Sequence, residues 1–153
     1  MRKLLILTIL FGLVYLNCEV AFSAIKSLAW SLKGDTSLWM APVGGACGLI
    51  LSFLHRRIKY GASYRLSVLL GALSITLVEF TSGCILNLWL GFDIWSYKGL
   101  PLNVLGQICL PFTLLWYVFT PSVFWIGDVI EFYLYDTKHP IAWYKYYTRI
   151  FTT

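Results

Sequence analysis

Charge is what this sequence has least of: Asp, Glu, Lys and Arg make up 12% of its 153 residues, against roughly 25% in ordinary soluble domains. With 59% of residues hydrophobic, too few polar side chains remain to cover a water-facing globule. The length suits a single membrane domain, residues 1–153, and leaves no room for a separate nucleotide-binding or catalytic module. Histidine is also scarce, with His55 and His139 both in polar flanks where surface positions are expected. The four cysteines, Cys18, Cys47, Cys84 and Cys109, fall in apolar runs without a CxxC spacing. They read as packing thiols, so neither a metal site nor a disulfide is expected. No nucleophile–base pair and no phosphate-cradling loop appears, so neither enzyme activity nor a cofactor is expected.

Long apolar runs are what the chain does have. They cover residues 4–25, 38–54, 66–88 and 102–120, each near the ~20 residues a helix needs to cross a bilayer. Backbone polar groups find no water in lipid, and no barrel-like alternation is present, so the runs should be helical. The expected fold is all-α: a polytopic membrane protein with four transmembrane helices. Arg2 and Lys3 precede the first run, Arg56, Arg57, Lys59 and Arg65 follow the second, and Lys138, Lys145 and Arg149 follow the fourth. The remaining loops offer Lys26, Lys33 and Lys98. Cytoplasmic loops accumulate Lys and Arg, which places both termini in the cytoplasm. The net charge of +5 is then a topology signal, and no nucleic-acid partner is expected. Arg2-Lys3 and Ala21-Phe22-Ser23 imitate a secretory signal, but Tyr15, Asn17 and Glu19 interrupt its apolar stretch, so the segment is read as a retained span.

Two carboxyls stand inside these runs, Glu19 and Glu79, and an intramembrane ionisable group marks a functional site by default. At helical spacing Glu19 shares a face with Thr8, Gly12, Tyr15, Ser23 and Lys26, and Glu79 with Ala72, Thr76, Ser82, Gly83 and Asn87. Each carboxyl fits either a hydrogen-bonded structural fastener or a ligand, ion or proton site. In the second run Gly44, Gly48 and Ser52 repeat at four-residue spacing, beside Ala41 and Gly45, and Gly71 continues the theme in the third, a pattern that lets helices approach closely. Asn103 and Gln107 are expected one turn apart at the start of the fourth helix, either as neutral partners for Glu79 or a ligand or as caps for free backbone groups; in the first case they line an outward polar cavity with Glu19 and Glu79, and Trp39, Trp95 and Tyr97 shape its mouth. Each half runs carboxyl, tryptophan, proline, cysteine, which hints at a two-hairpin repeat pairing Cys47 with Cys109. Residues 121–153 gain Asp128, Glu131 and Asp136 and end in an aromatic, cationic stretch, read as an interfacial segment that includes an amphipathic helix.

The stretches Cys18-Glu19-Val20-Ala21-Phe22, Glu79-Phe80-Thr81-Ser82-Gly83, Pro101-Leu102-Asn103 and Gly106-Gln107-Ile108-Cys109-Leu110, with Trp116, resemble the ABC-transporter type IV family, small bacterial integral membrane proteins read as permease-like. Where that family reads Trp-Asp-Tyr, this chain has Trp95-Ser96-Tyr97, which makes Asp93 the candidate replacement. The resemblance implies a multi-pass protein of the bacterial cytoplasmic (inner) membrane. Its expected partners are the lipid bilayer and a cytoplasmic ATPase or another membrane subunit, in a homo- or hetero-oligomer. A non-transporting scaffold of another membrane complex is the alternative.

Overall fold

Leucine-rich sequence without internal polar breaks winds into long helices, and the computed structural model, which describes residues 2–26 and 36–152, contains four of them and a shorter fifth. They are α1 (Arg2–Lys26), α2 (Met40–Lys59), α3 (Tyr64–Gly83), α4 (Leu110–Tyr135) and α5 (Trp143–Thr152). A six-residue π-helical turn, Cys84–Trp89, prolongs α3. α1 packs along α2, α3 lies against α2 and α4, and α5 folds back on α3 and α4. Lys33 and the first interhelical loop lie outside the described residues.

Local chemistry sets the boundaries. Basic Arg56, Arg57 and Lys59 occupy the last turn of α2, where they complement the negative end of the helix dipole. Gly61, at φ +93°, turns the chain, and the Ser63 hydroxyl then caps α3 by accepting from the Leu66 N–H. α4 starts after extended Cys109 with a proline in its first turn. It runs through Pro121, which the sequence reading took as its end. Proline inside a membrane helix is tolerated where tertiary packing holds the segment helical; here Pro121 is buried, and next to the Tyr117 carbonyl that loses its N–H donor the Thr120 hydroxyl bonds back to the Trp116 carbonyl at 2.8 Å.

Among the described residues three helices are long and apolar enough to cross a membrane: Leu4–Ile25, Tyr64–Trp89 and Leu110–Tyr135. The other expected span, α2, falls short of that standard, being the least apolar of the long helices and carrying three cations at its end. The fourth run is also shifted. Residues 102–109 belong to a loop with an isolated bridge between Val104 and Ile108, and positive φ angles at Leu102, Leu105 and Gly106 prevent a helix there. Residues 121–135 belong to α4, so only α5 remains of the supposed interfacial segment. The outward faces are apolar, with Leu4, Leu5, Leu13, Leu69, Leu73, Leu77 and Leu114 exposed, while Glu79, Gln107 and Thr120 are inside. That inversion suits hydrocarbon as the solvent.

The small-residue stripe of α2 is used within the chain. A Cβ on Gly44 would lie 2.3 Å from Tyr15 Cβ, and one on Gly48 2.2 Å from Phe11 Cγ. Gly71 plays the same part in α3, where a Cβ would meet Leu51 and Thr120 at 2.7 and 2.8 Å. Ser52 continues the α2 row and faces Gly127 of α4 at 4.0 Å from an added Cβ. Gly48→Leu is thus expected to destabilise the α1–α2 pair by roughly 1–3 kcal/mol or more through overpacking. Gly127→Ala, whose Cβ would find ordinary contacts at 3.6 and 4.0 Å, should be near neutral. Thermal unfolding of both variants in detergent checks the contrast.

Candidate functional site

Glu79 sits near the end of α3 with 3% of its surface exposed. Its two carboxyl oxygens are held separately: the Trp116 indole N–H donates to Oε2 at 2.7 Å and the Tyr97 hydroxyl donates to Oε1 at 3.2 Å. Trp116 comes from α4 and Tyr97 from the loop of residues 90–109, so one side chain ties three parts of the chain together. Tyr97 is stacked on Phe112, ring centroids 4.5 Å apart. Burial, then the Glu79 charge, raises the Tyr97 phenol well above its ordinary pKa, so it remains a donor at neutral pH.

The loop that delivers Tyr97 is locked by amides. Asn87, carried on the π-helical turn, donates to the Trp95 carbonyl at 3.0 Å and to Gln107 Oε1 at 2.8 Å, and accepts from the Ile94 N–H at 2.8 Å. The Trp95 indole donates to the Gln107 carbonyl at 3.1 Å. Gly83 allows this approach, since a Cβ there would stand 2.5 Å from Gln107 Oε1. Gln107 is 2% exposed. A π turn moves side chains out of α register and recurs at functional positions; here it aims Asn87 into the loop.

Glu19 faces a different space. It lines a cavity of about 270 Å³ between α1, α2 and α4, together with Tyr15, Cys47, Phe112, Trp116 and Phe119. Tyr15 hydrogen-bonds the Glu19 carboxyl from one turn earlier on α1. The Tyr15 and Trp116 rings are 6.4 Å apart, as are Phe112 and Trp116, so an aromatic wall separates the cavity from Glu79.

The structure therefore divides the sequence-predicted residues. Glu79 and Tyr97 touch; Asn87, Trp95 and Gln107 form the adjoining lock; Glu19 lies across the aromatic wall. Asn103 is exposed and serves its own turn, bonding the Leu100 carbonyl and the Gly106 N–H. It does not stack with Gln107 on a helix, because no helix exists there. Trp39 is half exposed and lies 5.9 Å from Phe92, centroid to centroid, at the edge of the loop. Asp93 is exposed at φ 49° and takes no part in the Glu79 cluster. The cavity at Glu19 is mostly apolar, and Glu79, Asn103 and Gln107 are not among its lining residues. The two-hairpin repeat also fails at cysteine: Cys47 is in mid-α2, whereas Cys109 precedes α4. Among the described residues no group of side chains could hold a metal ion.

One cluster escaped the sequence reading. His55, expected on the surface, is 7% exposed and stacked on Phe124 at 4.8 Å. Its Nε2 lies 2.8 Å from Asp128 Oδ2, which also accepts from Tyr146 at 2.6 Å, while Lys59 approaches Oδ1 at 3.3 Å. Arg56 pairs with Glu131 at 2.8 Å one turn on. The spacing of Asp128 and Glu131, one turn apart at the end of an apolar helix, was the available signal; their partners are too distant in sequence to be read.

A helical bundle with apolar outer faces and a buried carboxyl between helices defines an integral-membrane class of protein. The chain belongs to the family described as "Putative ABC-transporter type IV", which matches residues 5–152. No solved structure matches it.

Proposed function

We propose that the protein is the membrane-embedded, permease-like component of a transport system, working in the bacterial cytoplasmic membrane with a cytoplasmic ATPase or a second membrane subunit. The observation that carries this reading is Glu79, a carboxyl buried between apolar helices and wired to a structured loop, in a chain of an ABC-transporter-related family. A fully committed carboxyl of this kind is expensive in lipid and marks a pathway or its gate more readily than a packing contact. In this arrangement α2 completes a fourth crossing, and the cations at its end, with those of residues 138–149, set both termini in the cytoplasm. No catalytic role is assigned.

The scaffold alternative needs a free small-residue face, and the α2 glycines are already covered by α1, which favours the permease reading. Affinity purification from native membranes in mild detergent, followed by mass spectrometry, tests it. A stoichiometric ATPase is the expected result; recovery of the chain alone, as a discrete oligomer, would remove the ABC reading.

A further inference from the structure

The cavity between α1, α2 and α4 has one feature its apolar walls do not explain. Among the described residues a single carboxyl, Glu19, lines it, beside the aromatic side chains of Tyr15, Phe112 and Trp116. An apolar tail alone would be served by hydrocarbon lining, and Glu19, whose neighbour there is the neutral Tyr15 phenol, has no cation among the described lining residues to offset its charge. Carboxylate plus aromatic faces is the chemistry that recognises an organic ammonium group, through charge and cation–π attraction together. The space extends from Glu19 to Phe11, about two turns or ~12 Å along α1, past Cys47 and Leu51. Its volume, about 270 Å³, approaches the lower range of small-molecule sites.

We propose that this cavity binds a lipophilic amine, an ammonium group on a hydrocarbon body, with the charge at Glu19 and the body lying toward Phe11 and Phe119. Glu79 is the positioning residue: its bond to the Trp116 indole fixes the orientation of that ring in the wall. The proposal deepens the permease reading by naming a substrate class, yet binding requires only the purified chain. Its failure is therefore distinguishable from a failure to recover an ATPase.

The test is equilibrium binding of radiolabelled benzyltriethylammonium to the full chain in discs of phosphatidylglycerol, which carries no amine headgroup, beside the neutral carbon isostere of the same body. Saturable binding of the cation is expected, weakened at least about tenfold by Glu19→Gln, the loss appropriate to one partly desolvated charge pair, with the isostere unaffected by that change. Leu115→Trp, which fills the cavity from α4, should abolish binding of both. Equal binding of cation and isostere, or an undiminished cation affinity in Glu19→Gln, would overturn the proposal and leave a lipid-filled crevice. Displacement of the cation by phosphatidylethanolamine in parallel discs would overturn the free-amine assignment in favour of a lipid headgroup.

Discussion

Glu79→Leu should unfold at a markedly lower temperature than the wild type, while Glu79→Gln should stay close to it. Leucine fills similar space but strands the Trp116 N–H and the Tyr97 hydroxyl, both of which now end on the carboxyl at 2.7 and 3.2 Å. Each buried donor left unpaired costs roughly 1–3 kcal/mol. The loss spreads, because Tyr97 is stacked on Phe112 and, with Gln107 and Trp95 at Gly83, joins the loop of residues 90–109 to α3. Glutamine keeps an oxygen for the indole and offers an N–H to the phenol oxygen. Thermal unfolding in detergent separates the two variants, and an unshifted midpoint for Glu79→Leu would rule out the hydrogen-bonded anchor. The same pair separates structure from function. If Glu79→Gln is stable but inactive in cells that need the protein, the charge matters; if it is stable and active, Glu79 is a fastener.

Hydropathy made most of the architecture legible, because burial in lipid demands long apolar helices and little else produces them. It failed where apolarity and helicity part company. Residues 102–109 are apolar, yet Leu102 and Leu105 adopt positive φ and Gly99 and Gly106 flank them, a backbone path set by the Asn87–Gln107 lock and not by local preference. Proline misled in the opposite direction, suggesting a helix end at Pro121 where tertiary packing carries α4 onward. The carboxyl of Glu79 was legible from its expense alone. Its true partners, Tyr97 and Trp116, were not distinguishable from other aromatics, since a tryptophan 37 residues away has no periodic relation to it. The glycine row of α2 was legible as a packing face, but nothing in its spacing could say that α1 would occupy it.

Asp128→Ala should be the most damaging change at the other end of the bundle. Asp128 is the common acceptor for His55, Lys59 and Tyr146, its side chain is only 18% exposed, and His55 is more deeply buried still. Removing one member of a buried polar pair costs about 3–5 kcal/mol where no water can replace it; with Lys59 53% exposed, the loss should fall toward the lower end. Its first consequence is on α5. Tyr146, whose phenol burial and the Asp128 contact raise well above its ordinary pKa, is the residue by which α5 enters the core. Other attachments are the Tyr64 hydroxyl on the Tyr146 carbonyl at 2.6 Å, the Arg65 guanidinium on the Ile150 carbonyl at 2.6 Å, the Trp143 indole and Tyr147 hydroxyl on the Ser122 hydroxyl of α4, and the Arg149 guanidinium over the Tyr64 ring. Hydrogen exchange across residues 143–152 should therefore quicken in Asp128→Ala, and Tyr146→Phe should reproduce part of that effect without disturbing His55. Equal protection in all three proteins would mean that the contacts with Tyr64, Arg65 and Ser122 hold α5 without Asp128. Because Trp116 and Asp128 stand on the same helix, ~18 Å apart by helical rise, a release of α5 that also shifts Trp116 fluorescence would connect the α5 face to the Glu79 site through α4. An unchanged Trp116 signal would confine the Asp128 cluster to anchoring α5.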